Sequence, residues 1–363
     1  MDDRVKKHAE ILVDHCTDIE ADDNVLIKAP AVANDLVVAL HEQIGKRGAR
    51  PMLSWMNIQA SRAYARAMHV DDYRTKDHKL AAMKQTDVVI IVMGSVNASE
   101  MSDIDPEKTA ASGRVTQPIR KERRETTRWV LTQYPTAADA QQAGMNTAAW
   151  TDFVYNAINM DWEAQRERQE QLVEILDPAE EIRIVSGTDT DLRLSVEGMR
   201  TGNDYAKHNL PGGETFTSPV PDSVNGEVLF DMPLTRSGRE IHNVRLTFKD
   251  GEVVDHGAHQ NEEVLSSLLN TDKGARRVGE LGIGMNRGID RFSHNMLFDE
   301  KMGDTIHLAL GNAIEECVPA DRTFNESAIH VDMIVDMSEN SRIEVDNEVV
   351  QRDGIFCFEE GFK

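Results

Sequence analysis

The chain has little cysteine, few lysines and no long apolar run. Its three cysteines, Cys16, Cys317 and Cys357, are widely spaced and odd in number, which argues against a disulfide framework or a thiolate metal site. The longest apolar run, residues 88–93, is far shorter than the roughly 20 residues that cross a bilayer. The N-terminal residues carry charges where a signal peptide would be apolar. These features predict a soluble, cytoplasmic protein.

Positive charge is also scarce. The 40 Lys and Arg residues stand against 63 Asp and Glu, which leaves a formal charge of −23, and only 14 of the 40 are lysine. A field of this sign repels phosphate backbones and anionic lipids, so we expect no nucleic-acid partner and no membrane partner. Concentrated salt would screen the repulsion among so many carboxylates. The composition therefore predicts a halophilic protein, from a haloarchaeon; the alternative is an ordinary acidic cytosolic protein.

The 363 residues, 40% of them apolar, are enough for two domains. Residues 1–180 alternate short apolar runs with helical patterns, which predicts an N-terminal open α/β domain with a mostly parallel sheet. Strands are predicted at 25–31, 51–56, 88–93 and 129–135, and helices at 32–47, 79–86 and 148–175. Because residues 88–93 are apolar at every position, we expect that strand to be covered on both faces.

The pattern changes after residue 180. Short segments of alternating hydrophobicity are separated by Gly, Asp and Asn turns, which is typical of antiparallel strands. One helix is predicted around residues 260–279. The sequence thus predicts a C-terminal α+β domain over 181–363 with a largely antiparallel sheet.

Two of these predicted strands carry potential metal ligands. In residues 329–336, His330, Asp332 and Asp336 alternate with apolar residues and would share one face of a strand. His307 is placed in the same way in residues 305–311, beside the small Ala309. The alternatives are a solvated edge strand and a histidine satisfied within the core.

Glu214 and Glu280 follow or precede glycines that allow close backbone approach. Each alone would be an ordinary surface acid. Together with the two histidines and Asp332 they form an oxygen and nitrogen ligand set that suits Zn²⁺, Co²⁺ or Mn²⁺. A two-metal centre of this kind polarises a carbonyl and activates a bridging water. From spacing alone, the interpretation goes no further than a metallohydrolase.

Several blocks along the chain are similar to those of one enzyme family. They are SDIDPEK (102–108), RWVLTQYPT (128–136), AQQAGM (140–145), FVYNA (153–157), NLPGGETFTSPVPDSVNGEVLFD (209–231), LFDEKMGDTIHLALG (297–311) and SAIHVDM (327–333). In order and content they resemble the thermophilic-type metallo-aminopeptidase family, that of aminopeptidases T and S. The resemblance spans nearly the whole chain.

The resemblance implies a metallo-aminopeptidase that releases N-terminal residues from peptides with a free N-terminus. It implies a homodimer and two divalent ions per subunit with a bridging hydroxide. The metal ligands carried over are Glu214, Glu280, His307, His330 and Asp332, with Glu214 or Glu280 as the catalytic proton carrier.

One position departs from the family pattern. The family has a tyrosine seven residues after the first histidine, and this chain has Ile314 there. The residue before Glu214, often acidic in the family, is Gly213. Loss of a transition-state donor costs about 100–1000-fold in rate. The alternatives are therefore a non-catalytic or altered-activity homologue that binds metal or peptide, and a hydrolase of amides or phosphoesters on the same scaffold.

Overall fold

The computed structural model describes residues 1–236 and 239–363. They form two compact units, Met1–Met160 with Ala206–Gly212, and Asp161–Tyr205 with Gly213–Lys363. The domain division at residue 180 stays a prediction. In these units the helix that precedes Asp177 groups with the second unit, because its Leu172 and Leu176 are buried in that unit's apolar core.

The helices and strands follow one another along the chain as listed here. The helices are α1 (Asp3–Glu10), α2 (Asn34–Arg47), α3 (Ile58–Ala67), α4 (Asp77–Met83), α5 (Pro106–Thr126), α6 (Ala137–Gln142), α7 (Thr147–Ile158), α8 (Trp162–Leu176), α9 (Glu262–Leu269) and α10 (Met296–Asp299). The strands are β1 (Asn24–Pro30), β2 (Arg50–Met56), β3 (Val88–Met93), β4 (Arg128–Gln133), β5 (Glu181–Ser186), β6 (Thr190–Ser195), β7 (Thr201–Asp204), β8 (Asn209–Leu210), β9 (Glu214–Thr217), β10 (Asn225–Phe230), β11 (Leu234–Arg236), β12 (Arg239–Ile241), β13 (Val244–Lys249), β14 (Glu252–Gly257), β15 (Val278–Gly284), β16 (Thr305–Gly311), β17 (His330–Asp336), β18 (Ser341–Val345), β19 (Glu348–Arg352) and β20 (Ile355–Phe356). None of the helices in these described ranges is both long and apolar enough to cross a membrane.

The first unit is built on a parallel sheet. Its strand order is β2-β1-β3-β4-β8, and every neighbouring pair runs parallel. The predicted α/β domain with a mostly parallel sheet is confirmed. In β3, Val88 to Val92 are all buried, as continuous apolarity predicts for a strand between two layers. On one face, Val89 and Ile91 pack with Met83 of α4 and Ile119 of α5.

In the second unit, two antiparallel sheets share one apolar core, and β11 and β12 form a separate two-stranded antiparallel sheet. The larger has the order β14-β13-β10-β6-β5-β18-β19-β20, and the smaller has the order β17-β16-β15-β9-β7. Ile184 and Leu246 of the larger sheet and Leu308 and Val331 of the smaller one belong to the same buried cluster. The prediction of a largely antiparallel C-terminal α+β domain is confirmed. The smaller sheet positions the candidate site.

Two predicted helices differ from the structure by more than a few residues at one end. The stretch predicted as one helix at 148–175 is α7 and α8, because Asp161 caps a new helix by accepting from Glu163 N–H and Ala164 N–H, both at 3.1 Å. The helix predicted at 260–279 ends at Leu269. Beyond it, Asp272 accepts from Ala275 N–H at 2.9 Å in a turn, and β15 begins at Val278.

Candidate metal centre

Strands β9, β15, β16 and β17 place the predicted ligands on one face of the smaller sheet. In the ladder, Glu280 lies opposite Ala309, and Ala309 lies opposite Asp332. His307 lies opposite Gly282, and Glu214 lies opposite Gly284. Residues opposite one another in a ladder project to the same side. We call this side the site face.

The other face of the same strands is apolar. Leu281, Leu308, Val331 and Met333 alternate with the site-face residues and are buried in the core of the second unit. The alternation predicted for residues 305–311 and 329–336 therefore determines which side chains reach the site. Burial of the apolar face against the larger sheet holds the strands in register, because a slip by one residue would expose it.

All five predicted ligands lie side by side. Glu280 lies between the two imidazoles: its Oε1 is 3.6 Å from His307 Nε2, and its Oε2 is 3.0 Å from His330 Nε2. Glu214 Oε2 lies 3.6 Å from the same nitrogen of His307. Asp332 Oδ1 lies 3.3 Å from His330 Nε2. Ligand atoms of Glu280, His307 and Asp332 are all within 4.8 Å of one another.

Both imidazoles are held by backbone carbonyls. His307 Nδ1–H donates to the carbonyl of Glu300 at 3.0 Å, and His330 Nδ1–H donates to the carbonyl of Asn312 at 2.8 Å. Each bond fixes the ring orientation and leaves Nε2 directed at the carboxylates. Histidines that bind metals in proteins are held in this way by their second nitrogen.

Glycine makes room for the His307 ring. A Cβ atom on Gly282 would lie 2.0 Å from His307 Cε1 and 2.2 Å from its Nε2, so no larger residue fits beneath the imidazole. Gly213, just before Glu214, has a φ of +110°. A Cβ there would also lie 2.6 Å from Asn286 Cβ. Gly282, two residues after Glu280, and Gly213, just before Glu214, thus allow the close approach that the sequence predicts.

Burial and close opposite charges shift the pKa values of the site residues. Burial works against a charged His307, but Glu280 and Glu214 raise its pKa to about 10. Burial also works against a charged His330, and Asp332 and Glu280 raise its pKa to about 11. Burial alone would raise the pKa of Glu280, but the two histidines lower it to about 2. Burial raises the pKa of Glu214 to about 8, against the pull of a neighbouring lysine.

That lysine, Lys301, is a site residue that the sequence reasoning missed. It is 0% exposed, and its Nζ lies 3.1 Å from Glu214 Oε1 and 3.8 Å from Asp204 Oδ2. It also contacts the carboxylate of Glu300. The one sequence signal that could have identified it is its place inside the block at residues 297–311, since a lysine in isolation is expected at the surface.

The donor set fits divalent metal ions. Glu214 Oε2 is buried and accepts no hydrogen bond from the described residues, although a buried carboxylate oxygen is costly without a partner. It is directed at the same imidazole nitrogen as Glu280 Oε1. Three carboxylates and two imidazoles, which lose their Nε2 protons when an ion binds, are oxygen and nitrogen ligands for borderline or hard ions.

Three comparisons bear on this fold and site. A family model for the thermophilic metalloproteases (M29) matches residues 1–356. Aminopeptidase 2 of Geobacillus stearothermophilus is 26% identical over an alignment that covers 91% of this chain and 91% of that protein. Wild-type AmpT from Thermus thermophilus has a similar fold, with a TM-score of 0.85 at 23% identity over 98% of this chain and 99% of that one.

The fold is not restricted to one chemistry. A 2,5-dihydroxypyridine dioxygenase from Pseudomonas putida KT2440 has a TM-score of 0.59 at 13% identity, over 98% of this chain and 97% of that chain. Fold likeness alone therefore does not identify a reaction. The match to the family model does identify the class, which is that of metallopeptidases, hydrolases acting on peptide bonds. The chain belongs to the thermophilic metalloprotease (M29) family.

Proposed function

We propose that this chain is an aminopeptidase that releases N-terminal residues from peptides at a centre of two divalent ions. One observation carries the proposal: Glu280 lies between two imidazoles and offers one oxygen to each. From these pairwise distances we assign the donors to two groups that share Glu280. The first is Glu214 Oε2, Glu280 Oε1 and His307 Nε2, and the second is Glu280 Oε2, His330 Nε2 and Asp332 Oδ1.

The residues present determine what the protein contributes. When bound, two such ions polarise the scissile carbonyl and activate the attacking water. Glu280 holds the two groups together, and the carbonyls of Glu300 and Asn312 keep both imidazoles oriented. We assign the transfer of the water's proton to Glu214 or Glu280, the two buried carboxylates of the site. The names of the relatives, which include Aminopeptidase 2, support a substrate with a free N-terminus.

Further properties belong to the same proposal. We propose Zn²⁺, Co²⁺ or Mn²⁺ as the ions, because the donor set lacks sulfur. The homodimer, the cytoplasmic location and the adaptation to high salt also stay predictions. The acidic composition supports the last of these.

Ile314 supports a second, weaker candidate, an altered or lost activity. Its half-buried side chain has no hydroxyl, and its backbone N–H donates to Ser218 Oγ at 3.0 Å. A site that lacks one donor to the transition state would turn over slowly while it still binds ions and peptide.

Metal analysis combined with kinetics tests the proposal. The purified protein is assayed in high KCl with aminoacyl amides and with their N-acetylated counterparts. We expect two ions per chain, cleavage of the free amides and none of the acetylated ones. Bound ions without any cleavage would favour the candidate with lost activity, and cleavage of acetylated amides would favour another hydrolase.

A matched pair of variants ties the reaction to the site. Asp332→Asn should lose an ion and activity. Asp336→Asn is the control, since Asp336 is on the same strand but its Oδ1 accepts from Ser338 N–H at 2.8 Å. Equal activity in Asp332→Asn and the parent would contradict the assigned ligand set.

A further inference from the structure

Lys301 carries an inference beyond the proposed ligand set. It is a fully buried cation in a chain where acids outnumber bases 63 to 40. A buried ammonium is retained only where carboxylates compensate it, and its three acidic neighbours are Asp204, Glu214 and Glu300. Of these three, only Glu214 is also in the candidate ligand set. Lys301 therefore contacts that ligand set through a single residue.

The two oxygens of Glu214 have different surroundings. Oε1 lies 3.1 Å from Lys301 Nζ, whereas Oε2 lies 3.6 Å from His307 Nε2 and accepts no hydrogen bond from the described residues. A carboxylate held by one oxygen in this way can offer only the other to an ion. The backbone adds to this constraint, because Gln169 Nε2–H donates to the carbonyl of Glu214 at 2.9 Å.

Lys301 is adjacent in sequence to the residue whose backbone carbonyl holds His307. Lys301 follows Glu300, whose backbone carbonyl accepts from His307 Nδ1–H at 3.0 Å. Two of the three members of the first donor group, Glu214 and His307, are thus held by neighbouring residues of one short segment. Gly284 allows this segment to approach β15, because a Cβ there would lie 2.0 Å from the carbonyl oxygen of Met302.

We propose that Lys301 is a positioning residue that holds Glu214 as a one-oxygen ligand of the first metal ion. The proposal rests on the two-ion centre proposed above. The proposal distinguishes a lysine that positions Glu214 from one that only balances its charge. A lysine that only balanced charge would be replaceable by arginine. At a confined site the wider, planar guanidinium displaces the carboxylate it binds.

The test is a titration of the ion-free protein with Co²⁺, in which calorimetry measures the affinity and visible absorption reports the coordination of the bound ion. The variants are Lys301→Met, which removes the charge, and Lys301→Arg, which retains it. Glu300→Gln is the matched control, since it removes another acidic neighbour of Lys301 but keeps the backbone carbonyl that holds His307. Glu214→Gln identifies which ion depends on Glu214.

We expect Lys301→Met to bind the Glu214-dependent ion about 10–100-fold more weakly, the usual effect of losing a group that orients a ligand. Lys301→Arg should lose less affinity but change the Co²⁺ absorption of that ion. The second ion should be unaffected, and Glu300→Gln, which keeps Lys301 and the carbonyl that holds His307, should weaken the Glu214-dependent ion less than Lys301→Met does. If Lys301→Met does not fold, as judged by near-ultraviolet circular dichroism, Lys301→Arg decides alone.

Two results would overturn the inference. One is a folded Lys301→Arg with the affinities and absorption of the parent. The other is a Glu300→Gln variant that weakens the same ion as much as Lys301→Met, which would indicate charge balance alone. A parent protein that binds no ion would instead refute the proposed function, and this inference with it.

Discussion

Replacing Gly282 by alanine should remove one metal ion from the centre. The new Cβ would lie 2.0 Å from His307 Cε1 and 2.2 Å from Nε2. Carbon atoms in contact settle at about 3.5–4.0 Å, so the ring must retreat by more than about 1 Å. Bonds from histidine to zinc are about 2.0–2.1 Å with a tolerance of about 0.2 Å. A ring displaced that far cannot coordinate the same ion position.

The magnitude follows from the kind of contact that is lost. Loss of a residue that only orients a ligand costs about 10–100-fold in affinity, so displacing the ligand itself should cost at least about 100-fold for one of the two ions. Overpacking beneath the ring should lower the free energy of unfolding by about 1–3 kcal/mol. Calorimetric titration of the ion-free protein with Mn²⁺ measures the first quantity, and urea unfolding measures the second.

Two controls separate the clash from a general weakening of the sheet. Gly202→Ala puts the same methyl group 2.3 Å from Phe216 Cζ in the same sheet, and it should destabilise the fold while both ions still bind. In a His307→Ala background, Gly282→Ala should no longer destabilise the protein, because the methyl group occupies the space of the missing ring. Parental ion binding by Gly282→Ala, or a full stability cost in the double variant, would refute the reasoning.

Three further predictions concern pH, turnover and salt. Ion binding should strengthen as the pH rises, because the ions must displace protons from His307 and His330, whose pKa values are raised to about 10 and about 11. Calorimetry in buffers of different ionisation enthalpy should detect the released protons. Ion binding without proton release would contradict the assignment of these histidines as ligands. Both pKa values exceed the value of about 6.5 in the unfolded chain, so the pairs between these histidines and their carboxylates stabilise the ion-free fold fully below that pH. This contribution is lost as the pH rises through 10 to 11. Ile314→Tyr should raise kcat by up to about 100-fold if the missing hydroxyl limits turnover, and an unchanged kcat with an ordered tyrosine would show that it does not. The thermal midpoint should rise between about 0.1 M and about 2 M KCl, because salt screens the repulsion in a chain of charge −23, whereas a midpoint independent of KCl would contradict halophilic adaptation.

The architecture could be predicted from local patterns. A continuous apolar run such as 88–93 indicates a parallel strand covered on both faces, and that is the environment of β3. Alternation in residues 305–311 and 329–336 likewise determines which side chains share a face, since the strand period is two. Element ends were harder to predict. The break between α7 and α8 depends on a cap by Asp161, and the helix at 260 stops at Leu269.

No local sequence pattern predicts that the five candidate ligands lie close together. Alternation and family resemblance both indicate His307 and Asp332 as ligands. Their proximity, however, depends on the pairing of β16 with β17, and the proximity of Glu280 to His307 depends on the pairing of β15 with β16. Register is a property of the folded sheet, set by burial of its apolar face.

The fold class is predictable from the sequence because it follows from the periodicity of apolar residues, whereas the family and the types of candidate ligand follow from blocks of similar sequence. The groups that support these ligands are visible only in the folded protein. Lys301 beside Glu214, the carbonyl of Asn312 beneath His330 and Gly282 beneath His307 are contacts between segments distant in the chain or across strands. Such contacts have no periodic signal, because they arise from packing in three dimensions and not from the spacing of residues.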